Sequence, residues 1–178
     1  MLPKNPNLNV EFNEEELTKI YLAGGCFWGA EAFLQRIYGV KETYVGYANG
    51  QTINPTYEEV CSGKTGFVET VCVIYDSSKI TLSTLIDEFF KIIDPTSFNK
   101  QGPDKGEQYR TGIYYQNLQA QQIAKEKIEE YQPKYQKPIL VEVKPLKNFY
   151  QAEEYHQDYL KKNPNGYCHV DLSLLKHK

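Results

Sequence analysis

The chain reads as an α+β fold, an α/β sandwich with a ferredoxin-like split βαβ core, helices packed on a mixed sheet and a loop-rich C-terminal extension. Three observations carry this expectation. Strand-like and helix-like segments follow one another in the order strand, helix, strand, strand, helix, strand. An apolar content of 40% in 178 residues suffices for one buried core, hence one domain over 1–178. The stretch from Asn163 onward is dense in turn formers, as a loop-like C-terminal segment requires.

Residues 1–18 read as an N-terminal arm, because Asn, Pro and Glu dominate and no apolar period appears. Residues 20–23 form a short apolar strand. After Gly24-Gly25, the residues Phe27, Ala30, Phe33, Leu34 and Ile37 fall at helical spacing, and Tyr38-Gly39 ends the helix. Residues 40–47 are β-branched and aromatic, hence a strand; Ala48-Asn49-Gly50-Gln51 and Asn54-Pro55 then mark a long loop. Residues 67–75 are apolar on both faces, as in a central strand covered on two sides, with Glu69 the exception. Leu82, Leu85, Ile86, Phe89, Phe90 and Ile93 define a second helix that Asp94-Pro95 stops. A polar loop over 97–107 leads to a strand over 108–115. A helix over 118–131 follows, stopped by Pro133, then a strand over 139–143 and a last short helix over 152–161.

Charge and composition exclude several classes. With a net charge of -3, a pI near 5.7 and scattered lysines, the chain lacks the basic clusters that bind nucleic acid or an anionic membrane. No apolar run approaches the roughly 18 residues of a membrane helix. The polar start, with two prolines, is unlike a signal peptide, so the expected location is the cytoplasm. Cys26, Cys61, Cys72 and Cys168 lie too far apart for a paired zinc spacing or a Cys-x-x-Cys motif, so no metal is expected.

The run Gly24-Gly25-Cys26-Phe27-Trp28-Gly29 places a cysteine where a glycine turn opens a helix, beside the chain's only tryptophan. A thiol there reads as a nucleophile next to an apolar pocket. The helix N-terminus supplies only about 0.3–1 kcal/mol, less than about one pKa unit, so further activation must come from elsewhere. Glu69 shares strand parity with Val71, Val73 and Tyr75. It reads either as a buried, protonated proton donor or as an edge carboxylate in water. Phe27 and Trp28 suit a thioether methyl, since sulfur and methyl groups pack well on aromatic rings. Cys168 sits among turn formers, where mobility would let its thiol reach a distant partner. Cys72 reads as an inert core thiol and Cys61 as undecided; His156 and His169 could act as acid or base, but with no recognisable partner they read as surface or satisfied histidines. Tyr57 and Tyr109 stand at loop junctions, where function concentrates.

Gly25-Cys26-Phe27-Trp28-Gly29, Gly46-Tyr47, Asn54-Pro55-Thr56-Tyr57, Cys61-Ser62-Gly63, Thr65-Gly66 with Glu69, Gln108-Tyr109-Arg110, and Asn163-Pro164 with Gly166-Tyr167-Cys168 occur in this order. Together they make the chain resemble the peptide methionine sulfoxide reductases of the A type. The resemblance implies that Cys26 attacks the sulfur of a methionine-S-sulfoxide, free or in protein, whose methyl group rests on Phe27 and Trp28. Glu69, aided by the hydroxyls of Tyr57 and Tyr109, would protonate or hydrogen-bond the sulfoxide oxygen, and Asp104 would help hold the substrate backbone. Methionine leaves, and Cys26 becomes a sulfenic acid, the reversible first stage of thiol oxidation. Cys168 then closes a Cys26–Cys168 disulfide that thioredoxin, the electron donor, reduces. The resemblance implies no bound cofactor, and a monomer is expected. Phe67 stands where many members have His, which would leave Glu69 in a drier site. The ending over 163–172 also resembles versions fused to a B-type reductase domain, so the chain stands as a whole enzyme or as one module. A methionine-binding module would not need Cys26, Glu69 and Cys168 together; a thiol peroxidase or disulfide oxidoreductase would share the sulfenic acid and the resolving thiol.

Overall fold

A computed structural model describes residues 2–175 of the chain. The core is built from β1 (Leu17–Ala23), α1 (Phe27–Leu34), β2 (Val40–Ala48), α2 (Tyr57–Cys61), β3 (Val68–Asp76) and α3 (Leu82–Phe90). A small pair, β4 (Lys100–Gln101) and β5 (Asp104–Lys105), interrupts the next loop. There follow β6 (Gly112–Tyr115), α4 (Leu118–Tyr131), β7 (Glu142–Pro145), β8 (Phe149–Gln151) and α5 (Tyr159–Lys162).

The main sheet has the order β7-β6-β1-β3-β2-β8. Its four inner strands, β6-β1-β3-β2, are antiparallel neighbours throughout. β1 and β2 are joined through α1 with β3 between them, and β3 and β6 through α3 with β1 between them, which is the split βαβ arrangement. β7 adds parallel to β6 and β8 antiparallel to β2, so the sheet is mixed.

Alternation along the strands decides which face is covered by what. Ile20, Leu22, Val45, Tyr47, Val71, Val73 and Ile113 point into the larger cluster, with Phe27, Phe33, Leu85, Ile86 and Phe89 from α1 and α3. Each such fully buried Phe, Leu or Ile contributes about 1.5–3 kcal/mol. The opposite parity, Tyr21, Ala23, Ala48, Val68, Cys72 and Tyr114, packs under Leu146 and Phe149 near β8. Both faces of β3 are therefore dry, as its unbroken apolar run requires.

Several element boundaries differ from those expected. β1 begins at Leu17, inside the arm expected over 1–18, and Asn7 docks the arm: its side chain donates to the Ile37 carbonyl (2.9 Å) and accepts from the Gly39 N–H (2.9 Å). Such polar docking leaves no hydrophobic period to read. The long loop after β2 contains α2, opened by a capping box in which Thr56 and Glu59 exchange hydrogen bonds. The strand expected over 108–115 starts at Gly112, because Glu107–Tyr109 forms a 3₁₀ turn instead. β7 lies three residues beyond the start expected at Ile139, and β8 has no counterpart in the sequence reading. The helix expected over 152–161 is broken: a 3₁₀ turn at Glu154–His156 and α5 are separated at Asp158, whose φ is 51°.

Candidate active site

At the end of β1 the chain turns through Gly24 and Gly25. Gly25 has φ 75°, and a Cβ there would fall 2.6 Å from His169 Nε2 and 2.9 Å from Gln101 Cβ. Its N–H donates to the Tyr109 carbonyl (3.2 Å), which ties the turn to the strand-bound loop before β6. The turn leaves Cys26 as the N-cap of α1, 7% exposed, with φ -62° and ψ 127°. Burial first, and then a charge on Glu69, push the Cys26 thiol well above the ordinary range, while the Trp28 backbone N–H offsets part of the rise. The small thiolate-favouring effect of the helix end is outweighed, so the resting group is a thiol.

Glu69 lies on β3 opposite Tyr47 of β2 and is 1% exposed. Its Oε1 accepts the Phe27 N–H (3.1 Å), and Oε2 has no hydrogen-bond partner among the described residues. Burial raises its pKa to about 8, with the Phe27 N–H pulling down and Asp104 pushing up. Of the two sequence readings, the buried acid holds and the edge carboxylate does not.

A charge on Glu69 is also felt at Tyr57 and Tyr109, whose hydroxyls burial pushes up, so both stay protonated donors. Tyr57 opens α2, and its N–H donates to Glu153 Oε2 (3.0 Å). The Tyr47 hydroxyl donates to Glu153 Oε1 (2.8 Å). Cys61 ends α2 one turn after Tyr57 and interacts with its hydroxyl. Arg110 fixes the Tyr109 segment by donating to the carbonyls of Gly66 (3.0 Å) and Glu107 (3.0 Å) and to Glu142 Oε1 (2.9 Å).

The tail returns over this cluster. Cys168 is half-buried, its thiol donates to the Val170 carbonyl (3.3 Å), and its sulfur lies 2.9 Å from where a Cβ on Gly29 would stand. It therefore rests on the first turn of the helix that Cys26 opens. The Tyr167 hydroxyl donates to Asp104 Oδ2 (2.8 Å), and His169 Nδ1 lies 4.0 Å from the same oxygen. Burial pushes the His169 imidazole down, against the pull of Asp104. All four cysteines are free thiols; Cys72, on the other sheet face with Tyr21, is apart from the site.

The structure thus brings together Cys26, Phe27, Trp28, Tyr57, Glu69, Asp104, Tyr109 and Cys168. Sequence reasoning gave no role to Tyr47 or Glu153 and set His156 aside as a surface or satisfied histidine. His156 is neither a surface residue nor fully satisfied: it is 1% exposed, and Nδ1 accepts the Trp28 Nε1–H (2.9 Å), while Nε2 is buried without a partner among the described residues. Strand parity with Val45 could have flagged Tyr47; Glu153 and His156 lie in a turn whose contacts span about a hundred residues, beyond any local pattern. Phe67 is buried in the larger cluster, edge-on to Tyr150 (5.8 Å) and flat under Gly50. Among the described residues no His, Cys, Asp and Glu cluster could hold a metal ion, and no helix is long and apolar enough to cross a membrane.

Comparison with known proteins agrees with this geometry. The profile described as "Peptide methionine sulfoxide reductase" matches residues 18–178. A peptide methionine sulfoxide reductase MsrA of Clostridium perfringens is 59% identical over 156 residues, 88% of this chain and 99% of that protein. The reduced form of Mxr1 from Saccharomyces cerevisiae superimposes with a TM-score of 0.83 at 42% identity, covering 90% of this chain and 93% of the other. Mxr1 in complex with Trx2 gives a TM-score of 0.60 at 30% identity over 85% of this chain and 91% of the other. A buried thiol at a helix N-cap, a buried acid beside it and a second thiol from the tail packed against the same helical turn thus occur in a chain that belongs to the peptide methionine sulfoxide reductases, of the A type.

Proposed function

We propose that this chain reduces methionine-S-sulfoxide, free or in proteins, to methionine, with Cys26 as nucleophile and thioredoxin as the final electron donor, and so repairs oxidised proteins. The observation that carries the reading is the buried Glu69, protonated near neutrality beside a buried Cys26 thiol. A carboxylic acid held neutral can donate its Oε2 proton to a sulfoxide oxygen, which makes the sulfur electrophilic where the nucleophile waits. The hydroxyls of Tyr57 and Tyr109 add donors to the same oxygen. Phe27 and Trp28 receive the methyl group, and Asp104 helps hold the substrate backbone.

The first step transfers the oxygen: Glu69 gives its proton to the sulfoxide oxygen as the Cys26 sulfur bonds the substrate sulfur and its thiol proton passes to Glu69; the oxygen then moves to the Cys26 sulfur as the S–O and S–S bonds to the substrate sulfur break, leaving Cys26 as a sulfenic acid, oxidised by two electrons, and the sulfoxide reduced to methionine. In the second step the Cys168 thiol attacks that sulfur, expelling water and closing the Cys26–Cys168 disulfide. A thioredoxin dithiol then restores both thiols and becomes a disulfide. The complex of yeast Mxr1 with Trx2 supports thioredoxin in this role. No bound cofactor enters any step. We read the chain as one catalytic domain over 1–178, monomeric and cytoplasmic, with its resolving cysteine on the tail from Asn163.

A turnover assay with resolved R and S methionine sulfoxide and thioredoxin tests the reading. The S epimer alone should be reduced, and Cys26→Ser should abolish the reaction. Retained turnover of the S epimer by Cys26→Ser would sink the assignment. Cys168→Ser should release about one methionine per chain and then stop; undiminished multiple turnovers would show that another group recycles Cys26.

A further inference from the structure

The Trp28 indole is held from two sides. Its face stacks on Tyr159 of α5 with centroids 3.7 Å apart and planes 6° from parallel, and its Nε1–H donates to His156 Nδ1 at 2.9 Å. Indole N–H is only a donor, so Nδ1 must be the acceptor and the imidazole must be neutral, with its proton on Nε2. That Nε2 is buried and meets no partner among the described residues. Around the imidazole stand the rings of Phe27, Tyr57 and Tyr155, with centroids 5.1, 4.4 and 4.0 Å from its own. A carbon ring would fill such an aromatic cage without burying an unsatisfied donor, so the imidazole is a poor choice for stability alone. What it supplies uniquely is Nδ1, aimed at Trp28.

The 3₁₀ turn that carries His156 is itself fixed to the site. The His156 N–H donates to the Glu153 carbonyl (2.9 Å), and the Glu153 carboxylate takes the Tyr57 N–H and the Tyr47 hydroxyl. One short segment therefore locks both the apolar wall, through Trp28, and the hydroxyl wall, through Tyr57. We propose that His156 is a positioning residue: its Nδ1 sets the Trp28 indole in the orientation that receives the sulfoxide methyl group, and so fixes the affinity for substrate. This deepens the sulfoxide-reductase reading and rests on it.

The test uses single-turnover reduction of the S epimer without thioredoxin, at varied sulfoxide concentration, together with the emission of Trp28, the only tryptophan. His156→Phe fills the cage without an acceptor, His156→Asn keeps an acceptor near the Nδ1 position, and Trp28→Phe removes the donor. His156→Phe should raise the half-saturating concentration about tenfold or more while changing the maximal rate less than about threefold. It should also shift the emission of the free protein. His156→Asn should recover most of the affinity, although it fills less of the cage. Trp28→Phe should reproduce the loss, and adding His156→Phe should add nothing. Wild-type affinity in His156→Phe or Trp28→Phe, equal losses in the Phe and Asn variants, or losses that multiply in the double variant would each overturn the proposal. Should His156→Phe not fold, Trp28→Phe compared with His156→Asn decides it. If the unaltered protein fails to reduce the S epimer, the enzyme reading falls, while the emission shifts still report on the His156 to Trp28 bond.

Discussion

Cys26 and Glu69 shape each other. A charge on Glu69 would raise the neighbouring thiol further, so the uncharged acid is the form compatible with a reactive sulfur. Replacing Glu69 by Gln keeps the shape and a weak donor but removes the transferable proton, and the first-turnover rate should fall about 10²–10⁴-fold. Rapid-quench measurement of methionine release checks this. Gly29 offers a separate handle on the second step. Alanine there would gain helix propensity, but its Cβ would stand 2.9 Å from the Cys168 sulfur. Gly29→Ala should leave sulfenic acid formation intact and slow disulfide closure, seen as delayed loss of free thiol after one turnover. The grouping of Cys26, Glu69 and Cys168 was legible in the sequence because each is an odd residue against its local pattern. The orientation of Trp28 was not, since its partners His156 and Tyr159 lie some 130 positions away.

At the scale of elements, the N-terminus of α1 and the short α2 both bring residues to Glu69. α2 is five residues long and depends on its capping box. Thr56→Ala removes the bond to the Glu59 N–H and should cost about 1 kcal/mol in urea unfolding, with a larger effect on Tyr57 placement and hence on the first-turnover rate. The Thr-x-x-Glu spacing at 56–59 was present in the sequence, yet loop signals at Asn54-Pro55 masked it. The inner strands and α1, α3 and α4 were legible because their apolar periods are strong. β8 and the broken segment at Asp158 were not: three residues give no period, and the kink is stabilised by a distant contact in which the Asp158 N–H donates to Glu31 Oε1 (2.8 Å).

Over the whole molecule, the sheet order puts the β1–α1 turn, the end of β2 and the start of β3 at one place, and the tail from Asn163 lies across it. Two buried acids make the fold pH-sensitive. Burial lifts Glu69 from an ordinary 4.5 to about 8 and Glu31 from 4.5 to about 7. Since the folded state holds these protons more tightly than the unfolded chain, their stabilising contribution is complete below about pH 4.5 and is lost as pH rises through about 7 and 8. Carboxyls held low, such as Glu142, act oppositely at more acid pH, and His156 and His169, held low by burial, act oppositely below their ordinary 6.5. Above about pH 6.5, where the histidines no longer contribute, urea midpoints should therefore fall towards about pH 8, and Glu69→Gln should flatten that slope. The split βαβ core was legible from element order alone, whereas the docking of the arm, made of single polar contacts, and of the tail, made through isolated apolar residues such as Val170 and Leu175, was not. The central claim is that a proton on Glu69 drives reduction of the sulfoxide. The most direct measurement is the first-turnover rate of S-sulfoxide reduction as a function of pH, in the unaltered protein and in Glu69→Gln. The rate should decline above about pH 8 in the former and lose that decline, at a far lower rate, in the latter. A rate that climbs through pH 8 with thiol ionisation, and that is unchanged by Glu69→Gln, would contradict it.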